Sequence, residues 1–507
     1  MYDSYTSINF IRRQVFKEVA KIAYSGNYQD LNDTPYIMLN GKAKYRESIF
    51  LERAIVAERI RLAIGLPVRS ADEHGPLSKG IHEAIKPERF YTDPLINVID
   101  FACNACPTNS YYVTDSCVGC LANPCANVCN VGAIKIVNGK SVIDQDKCIK
   151  CGKCKEVCPY EAIIHRVRPC EKACEMHAIE SDLDGKAKIN YDKCVACGMC
   201  IVNCPFGAIA DKSQIVQVIE AIKTKKDVYA IVAPAFSAQF GPKVTLDNIG
   251  NLLKPLGFKD FYEVAIGADL CSIMEGKEFV ERIPNELKFM ATSCCPSWSR
   301  MAKHEFPEFR ENISMTLTPM ILTAKEVKKK YPDSYVVFIG PCSAKKLEVL
   351  KKKNDGSVDF VLTFEELMGM IQAKEIDISK LESTKKVSES SSLGKGFAVS
   401  GGVANAVVDV IKKTNPNIEV KTKCAKGLDE CRAMLKDANN GLYDGYLLEG
   451  MACKLGCISG AGTIATPNKA KVLIELERKK DPTSSPLDTK YIDKMDSVYK
   501  YKKEEKE

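Results

Sequence analysis

The first 96 residues place apolar positions at the spacing of amphipathic helices. One set recurs near the start of the chain, and a second recurs in a segment rich in charged residues. The first set is Ile11, Val15, Val19 and Ile22, and the second is Ala54, Ala57, Ile60, Ala63 and Ile64. Pro67 and the Gly75-Pro76 pair punctuate the end of the second segment. The pattern therefore predicts a helical region over residues 1–96 that packs against the rest of the chain or docks a partner.

From residue 213 onward, amphipathic runs alternate with short apolar runs. The apolar runs predict strands at 228–232, 335–339, 358–362 and 444–448, and the amphipathic runs predict helices at 215–222 and 274–282. This alternation predicts two α/β lobes over residues 213–467, with ligands bound at the carboxyl ends of the strands. A charged tail over 468–507 follows, and its end at 502–507 is expected to be disordered.

Composition and charge exclude several classes of function. Apolar residues make up 45% of the chain and charged residues 27%, which is an ordinary balance for globular domains. The net charge of +7 is too small and diffuse to indicate nucleic-acid binding, but it would attract an acidic protein partner. The first residues lack the features of a signal peptide, and no uncharged apolar run approaches a membrane span. We therefore expect a cytoplasmic protein with no nucleic-acid and no membrane partner.

Cysteine is the outlier of the composition, with 24 residues. Of these, 16 lie between Cys103 and Cys204 at metal-ligand spacings. A disulfide scaffold is the usual alternative for so many cysteines, but that class is short and secreted. The spacing instead indicates thiolate-bound iron–sulfur clusters in a reducing compartment.

Residues 97–212 contain a duplicated iron–sulfur motif. The bacterial ferredoxin run Cys-x2-Cys-x2-Cys-x3-Cys-Pro begins at Cys148 and again 46 residues later at Cys194. The flanking Asp-Lys and Ala-Ile pairs repeat as well. Because each run is one half of a two-cluster module, the sequence predicts two ferredoxin-like modules in tandem.

The ligand sets follow from the ferredoxin rule that the fourth cysteine of each run crosses to the sister cluster. Three sets are Cys117, Cys120, Cys125 and Cys158; Cys148, Cys151, Cys154 and Cys129; and Cys174, Cys194, Cys197 and Cys200. The other half of the second module is truncated, which leaves Cys170 and Cys204, and the upstream pair Cys103-x2-Cys106 offers the missing ligands. We therefore predict three or four accessory 4Fe–4S clusters, with four preferred. The alternative for the last set is free thiols or a zinc site.

Three segments in the second half of the chain place cysteine beside proline or glycine. They are Thr292-Ser293-Cys294-Cys295-Pro296-Ser297-Trp298, residues 341–348, and residues 449–457. Together they offer Cys295, Cys342, Cys453 and Cys457, the four thiolates that close a cubane cluster. These segments resemble the three signature segments of the iron–iron (FeFe) hydrogenases, and the resemblance covers roughly residues 97 to 467.

This resemblance implies the reversible reduction of protons to dihydrogen. The implied cofactor is the H-cluster, a 4Fe–4S cubane joined through Cys457 to a diiron unit with CO, cyanide and dithiolate ligands. The turn Ala233-Pro234-Ala235 would lie against a cyanide ligand, Lys345 would bind a cyanide, and Met451 would line the pocket. The implied partners are a ferredoxin or similar redox carrier and the hydrogenase maturation proteins.

The resemblance also implies a proton path through side chains. Cys294 would exchange protons with the bridging dithiolate amine, as a thiol near neutral pKa can do. Glu278, Ser314 and Glu275 match the next relay positions in that order, with Arg282 beside them. The two glutamates and Arg282 share one face of the predicted helix.

Three positions depart from the best-known members of the resembled family. Gly340 stands where a methionine is usual, Met320 stands where a glutamine is usual, and Lys454-Leu455 stands where the common text has a glycine before Gly456. These changes leave the metal ligands intact and bear on rate, catalytic bias and oxygen tolerance. Cys271, Cys424 and Cys431 have no assigned role and are expected to be ordinary buried cysteines.

Two other functions compete with that of a working hydrogenase. A slow sensor would hold the same cofactor, but such relatives usually carry an added sensory domain. An iron–sulfur assembly factor would keep the cubane cysteines but lose the proton-donor cysteine, which is present here as Cys294. The fold expected in each case is α+β multidomain, with a helical N-terminal region, tandem ferredoxin-like modules and a two-lobed α/β domain.

Overall fold

A computed structural model describes residues 7–70, 72–88, 93–107, 109–224, 226–351, 356–383 and 388–491. The predicted disorder at 502–507 falls outside these residues. None of the helices in the described ranges is long and apolar enough to cross a membrane.

The N-terminal region is helical, as its periodicity predicts. Its helices are α1 (Ser7–Ser25), α2 (Thr34–Met38), α3 (Ile49–Ala63) and α4 (Ile81–Ala84). Val15 and Val19 of α1 are buried against the part of the chain that follows residue 212. Helix α3 begins where the Ser48 side chain accepts a hydrogen bond from the Phe50 N–H.

Helix α3 is buried on more sides than its periodicity predicts. Ala54, which the pattern assigns to the apolar face, is exposed, whereas Glu58 and Arg59 are buried. The reason is that α3 lies between α1 and the iron–sulfur region. Glu58 is satisfied by an ion pair with Arg69, 2.6 Å between Oε1 and Nη2, so that a buried charge keeps a partner.

The iron–sulfur region is built from short hairpins and single helical turns. The strands are β1 (Ile96–Val98), β2 (Ser110–Val113), β3 (Ile134–Val137), β4 (Lys140–Ile143), β5 (Ile163–Arg166), β6 (Ile179–Ser181), β7 (Ala187–Ile189) and β8 (Ile209–Asp211). The helices are α5 (Pro124–Asn127), α6 (Lys153–Glu156), α7 (Pro169–Lys172) and α8 (Met199–Asn203). Strand β2 pairs antiparallel with β5, and β1 pairs antiparallel with β8.

These pairings correct the predicted tandem arrangement of the two modules. The first module is closed by β2 and β5 around the hairpin of β3 and β4, and the second is closed by β1 and β8 around the hairpin of β6 and β7. Because β1 precedes the whole first module, that module is inserted within the second rather than placed before it. The apparent truncation of the second module is therefore the insertion point.

The remaining residues form two parallel sheets with helices packed around them, as the alternation of strands and helices predicts. The strands are β9 (Val228–Val232), β10 (Asp260–Glu263), β11 (Met290–Ala291), β12 (Tyr335–Gly340), β13 (Phe360–Thr363), β14 (Lys421–Lys426) and β15 (Tyr446–Met451). One sheet has the order β10-β9-β12-β13 and the other β11-β15-β14, and all their pairings are parallel.

The helices of this domain connect and cover the two sheets. They are α9 (Ile215–Lys223), α10 (Leu246–Leu253), α11 (Val264–Arg282), α12 (Pro296–Glu305), α13 (Pro319–Lys330), α14 (Ser343–Lys351), α15 (Phe364–Ala373), α16 (Ser392–Gly396), α17 (Gly402–Thr414), α18 (Leu428–Asn439) and α19 (Pro467–Lys480). The predicted helix at 274–282 is the second half of α11. Helix α19 lies in the segment predicted as a charged tail, yet it buries Ala470 and Ile474 in the main core.

Candidate active site and cluster-binding cysteines

The four cysteines predicted to hold a cubane line one cavity between the two sheets. Cys295 precedes α12, Cys342 lies between β12 and α14, and Cys453 and Cys457 follow β15. Each therefore sits beyond the carboxyl end of a parallel strand, where ligands of such folds bind. The pKa of Cys457 is raised to about 12, mainly by burial and in smaller part by the neighbouring Cys342 and Cys295 side chains.

The other predicted pocket residues line the same cavity. They are Ala233, Pro234, Ala235, Cys294, Lys345 and Met451. Phe397 and Ala398 supply part of a largely apolar wall. Four sulfur donors, one ammonium group and an apolar lining suit a cubane cluster joined to a metal unit with anionic ligands. The residues present thus fit the implied cofactor.

Lys345 is held at the cavity by two contacts. Its Nζ donates to Glu348 Oε2 at 2.7 Å and to the Cys294 carbonyl oxygen at 3.3 Å. Burial lowers the pKa of Lys345, but the Glu348 carboxylate more than offsets this, and the net shift is upward. Glu348 accepts in turn from Thr318 Oγ1. Lys345 is therefore a charged group in an apolar surrounding, and sequence reasoning missed its carboxylate partner, three residues later in the same signature segment.

The three departures from the resembled family have visible neighbours. The ring of Phe338, two residues earlier on β12, fills the space that a side chain at Gly340 would need, since an added Cβ would lie 2.4 Å from it. Phe338 and Met320 both line the cavity. Met320 thereby makes the cavity wall apolar where the resemblance leads one to expect a glutamine, and the Phe338 ring lies beside the position where it leads one to expect a methionine.

The third departure lies at the boundary with the iron–sulfur region. Lys454 Nζ is 3.3 Å from Glu175 Oε1, and Glu175 also accepts from the backbone N–H groups of Leu428 and Asp429 at the start of α18. Glu175 follows the predicted ligand Cys174. One carboxylate thus joins the iron–sulfur region to two segments of the catalytic domain.

The predicted proton-relay residues lie close together and share several polar contacts. Glu275 Oε1 accepts from the Ser293 backbone N–H at 3.1 Å, and Ser293 precedes Cys294. Ser314 Oγ donates to Glu278 Oε2 at 2.6 Å, and Arg282 Nη1 donates to Glu278 Oε1 at 2.9 Å. The Glu275 charge raises the pKa of Cys294, after burial, which is the main cause.

This geometry corrects the predicted order of the relay. The sequence places Glu278 next to Cys294 and Glu275 furthest away, whereas Glu275 lies beside Cys294 and Glu278 lies beyond Ser314. Burial raises the pKa of Glu275 to about 8, the Ser293 N–H lowers it, and the Glu278 charge raises it. Glu275 Oε2 has no hydrogen-bond partner within the described ranges. A carboxyl group in this setting can hold or release a proton near neutral pH.

The outer end of the relay reaches solvent in two directions. Arg282 Nε donates to Glu286 Oε2 at 3.3 Å, and Glu286 is exposed. Ser314 and Ser293 also line an open cleft of about 500 Å³ between α12 and α14. The exposed Glu286 and this cleft therefore lie next to residues that contact the buried glutamates.

Each predicted accessory set has its cysteines side by side. Cys117, Cys120, Cys125 and Cys158 line one small cavity. Cys148 and Cys151 raise the pKa of Cys154, after burial, and Cys129 packs in the same cluster of side chains. Cys197 shows a pKa raised to about 12 by burial, with added contributions from Cys174 and Cys194.

The fourth set also gathers at one place. The pKa of Cys170 is raised to about 11, mainly by burial and in smaller part by the Cys204 and Cys103 side chains. Cys103 likewise raises the pKa of Cys106, after burial. The nesting of the modules explains this convergence, because Cys103 and Cys106 follow β1 as Cys117 and Cys120 follow β2.

The sets are also ordered relative to the active site. Cys342 contributes to the raised pKa of Cys197, and Cys170 contributes to that of Cys200, in both cases after burial. The third set therefore lies near the fourth set and near the four predicted cubane cysteines. Of the three cysteines with no assigned role, Cys271 and Cys431 are buried and Cys424 is partly buried, and Cys271 packs in the same cluster of side chains as Cys294.

Three family models match the chain. The model described as "Iron only hydrogenase large subunit, C-terminal domain" matches residues 226–461. A 4Fe-4S binding domain matches 141–164, and the LdpA Fe-S cluster-binding domain matches 164–215.

Curated relatives extend the similarity into the iron–sulfur region. Iron hydrogenase 1 of Clostridium pasteurianum is 30% identical over 371 residues, covering 63% of this chain and 64% of that protein. The periplasmic Fe hydrogenase large subunit of Nitratidesulfovibrio vulgaris is 31% identical over 377 residues, covering 64% of this chain and 86% of that protein. Protein NAR1 of Arabidopsis thaliana is 22% identical over 325 residues, covering 50% of this chain and 69% of that protein.

Proposed function

The chain belongs to the iron-only hydrogenase family, and from this membership we propose that it catalyses the reversible reduction of protons to dihydrogen. The observation that supports this most directly is the cavity shared by Cys294, Lys345 and the four cubane cysteines. Cys294 and Lys345 are not needed to bind a cubane. They are needed where a proton is delivered and an anionic ligand is held, which an iron–sulfur carrier would not require.

When bound, the H-cluster supplies the metals at which protons and electrons combine. The chain's own residues orient the group and move protons. Cys295, Cys342, Cys453 and Cys457 would hold the cubane, and the Lys345 ammonium would bind an anionic ligand. Cys294 would exchange a proton at Sγ with the cofactor, and Glu275 would then restore the proton to Cys294.

A working hydrogenase differs from its two alternatives in turnover. After insertion of the diiron unit, hydrogen evolution from reduced methyl viologen should be fast in a hydrogenase and slow in a sensor. An assembly factor should show none, and the similarity to protein NAR1 makes this the alternative to exclude. Absence of hydrogen evolution from fully loaded protein would refute the proposal.

The accessory cysteines would carry electrons to the cubane through four 4Fe–4S clusters. The fourth is proposed at Cys103, Cys106, Cys170 and Cys204, supported by their convergence in the nested module. A loaded chain should then contain about 22 irons, against about 18 with three accessory clusters. Replacing Cys103 and Cys106 with serine should remove about four irons and leave the catalytic signals intact.

A matched control for that measurement is Cys424→Ser. Cys424 lies on β14, away from every predicted set, and its loss should leave the iron content unchanged. If the double variant of Cys103 and Cys106 also kept its full iron content, the fourth cluster would be absent.

A ferredoxin or similar carrier is the proposed source of electrons, and hydrogenase maturation proteins are the proposed source of the diiron unit. Low-potential clusters and the net charge of +7 both favour an acidic carrier. A cytoplasmic location is proposed because 24 thiol side chains and labile clusters need a reducing compartment.

A further inference from the structure

The two ferredoxin runs present the same loop in two different environments. Residues 146–158 of the inserted module correspond to 192–204 of the outer module. The backbone is alike in both loops: Lys150 and Ala196 have φ of 60° and 54°, and Gly152 and Gly198 have φ of 82° and 79°. The side chains differ at the surface, and this difference follows what each loop faces.

The loop of the outer module is covered by the catalytic domain. Val195 is 3% exposed, and its carbonyl oxygen accepts from Ser297 Oγ at 3.1 Å. Gly198 packs so closely that an added Cβ would lie 2.5 Å from Ala461 Cβ. This loop carries Cys197, which lies near the catalytic cubane ligand Cys342. In the outer module, the loop at 192–204 therefore forms the contact between the cluster proposed at Cys197 and the cubane proposed at Cys342.

The equivalent loop of the inserted module faces solvent. Ile149, in the place of Val195, is 65% exposed. Cys151, in the place of Cys197, is the exposed member of the 24 cysteines. Buried or apolar positions of the outer loop are replaced by exposed lysines: Lys150 for Ala196, Lys153 for Met199 and Lys155 for Ile201. Across the described part of the chain, these three lysines form no ion pair with an acidic side chain.

We propose that the loop at 146–158 is the docking surface for an acidic one-electron carrier protein, a proposal that rests on the proposed function. Ile149 would contact an apolar spot beside the carrier's redox centre, and the three lysines would face its carboxylates. In each encounter the reduced carrier would lose one electron, which the cluster that Cys148, Cys151, Cys154 and Cys129 would hold would gain. Two encounters supply the two electrons that two protons need to form dihydrogen.

The chemistry of the loop suits a transient partner. Complexes of redox proteins bury little surface and depend on charge for fast association. An exposed isoleucine within a lysine rim matches that pattern, whereas the outer loop, with valine, alanine and isoleucine, matches a permanent interface.

The test is charge reversal with a matched control. Lys150→Glu with Lys155→Glu should lower kcat/KM with an acidic two-cluster bacterial ferredoxin at least ~10-fold at low salt, and the dependence on ionic strength should weaken. Lys421→Glu with Lys423→Glu, on the exposed strand β14, makes the same change in net charge and should alter kcat/KM less than about twofold. Turnover with reduced methyl viologen should stay unchanged in both.

Binding can be measured without turnover. The Kd for the oxidised ferredoxin should rise in the Lys150 and Lys155 variant and in Ile149→Ser, but not in the β14 variant. Equal effects of both double variants, or none, would overturn the docking surface. So would a concentration-dependent dimer abolished by Ile149→Ser, which would make a second copy of this chain the occupant. If the unaltered protein evolved no dihydrogen with reduced methyl viologen, the proposed function itself would be refuted.

Discussion

Glu275 is a buried carboxyl group, and its replacement should change protein stability and turnover in opposite directions. Its pKa is raised from 4.5 to about 8, mainly because burial disfavours the charged form. The folded protein therefore prefers the protonated group. In the unfolded chain the same group ionises near pH 4.5. The resulting stability is complete below that pH and is lost progressively as the pH rises to about 8.

The magnitude follows from these two values. Between pH 5.5 and pH 8, ionisation of the unfolded chain should remove about 3 kcal/mol of stability, at 1.36 kcal/mol for each pKa unit. Glu275→Gln keeps the shape and cannot ionise, so that the variant should gain about 3 kcal/mol relative to the unaltered protein over this range. In this variant the glutamine side-chain nitrogen replaces Oε2, which has no hydrogen-bond partner. Burying this unpaired N–H group lowers the free energy of unfolding by an amount that does not depend on pH.

The assay is thermal unfolding of both proteins across this pH range, together with turnover. The difference in Tm between variant and unaltered protein should grow by roughly 3 °C from pH 5.5 to 8, because the unfolding entropy of a 507-residue chain is about 1 kcal/mol/K. Turnover should fall at least ~100-fold, since an amide cannot pass a proton. Glu281→Gln, an exposed position on the same helix, should change neither. A Tm difference independent of pH would show that Glu275 is charged when folded, and normal turnover would place the proton path elsewhere.

Other substitutions give contrasting outcomes. Cys294→Ala should cut turnover at least ~100-fold with unchanged iron content, whereas Cys295→Ala should lose cluster occupancy; iron loss in the first variant would contradict its role as a proton donor. Gly340→Ala should destabilise by ~1–3 kcal/mol in thermal unfolding because of the Phe338 ring. In a Phe338→Ala background, which itself costs about 3–5 kcal/mol, the added cost of Gly340→Ala should be smaller, and additive effects would contradict the contact. Lys454→Ala should cost less than ~1 kcal/mol in the same measurement because its side chain is 74% exposed, and a larger loss would show a structural role.

Buried strands leave strong local patterns in the sequence, whereas the choice of the four cubane cysteines rests on the resemblance of three short segments to a known family and not on their spacing. The sequence predicts the relay residues but not their order. Glu275 and Glu278 lie three residues apart on one helix face, and spacing alone does not say which end of that face meets the cavity. The orientation of α11 against Ser293 and Ser314 decides it, and this is a tertiary contact.

The insertion of one module within the other was not predicted, for a related reason. The sequence assigns Cys103 and Cys106 to the set of Cys170 because these cysteines have no other partners, but the structural reason for the assignment is the contact between β1 and β8. Strands of three residues have no readable periodicity, so the pairing leaves no local signal. The prediction that Ala54 faces the core is wrong. Helix α3 packs against neighbours on more than one side, and a single row of apolar positions in the sequence does not reveal this.

The nesting also makes the inserted module a detachable cassette. The chain enters it at Ser110 and leaves it at Arg166, and these two residues are direct partners across β2 and β5. A segment whose ends are neighbours can be gained or lost in a lineage without displacing the scaffold that receives it. The two clusters proposed for the inserted module would be gained or lost together. The clusters proposed nearest the catalytic cavity would keep their positions.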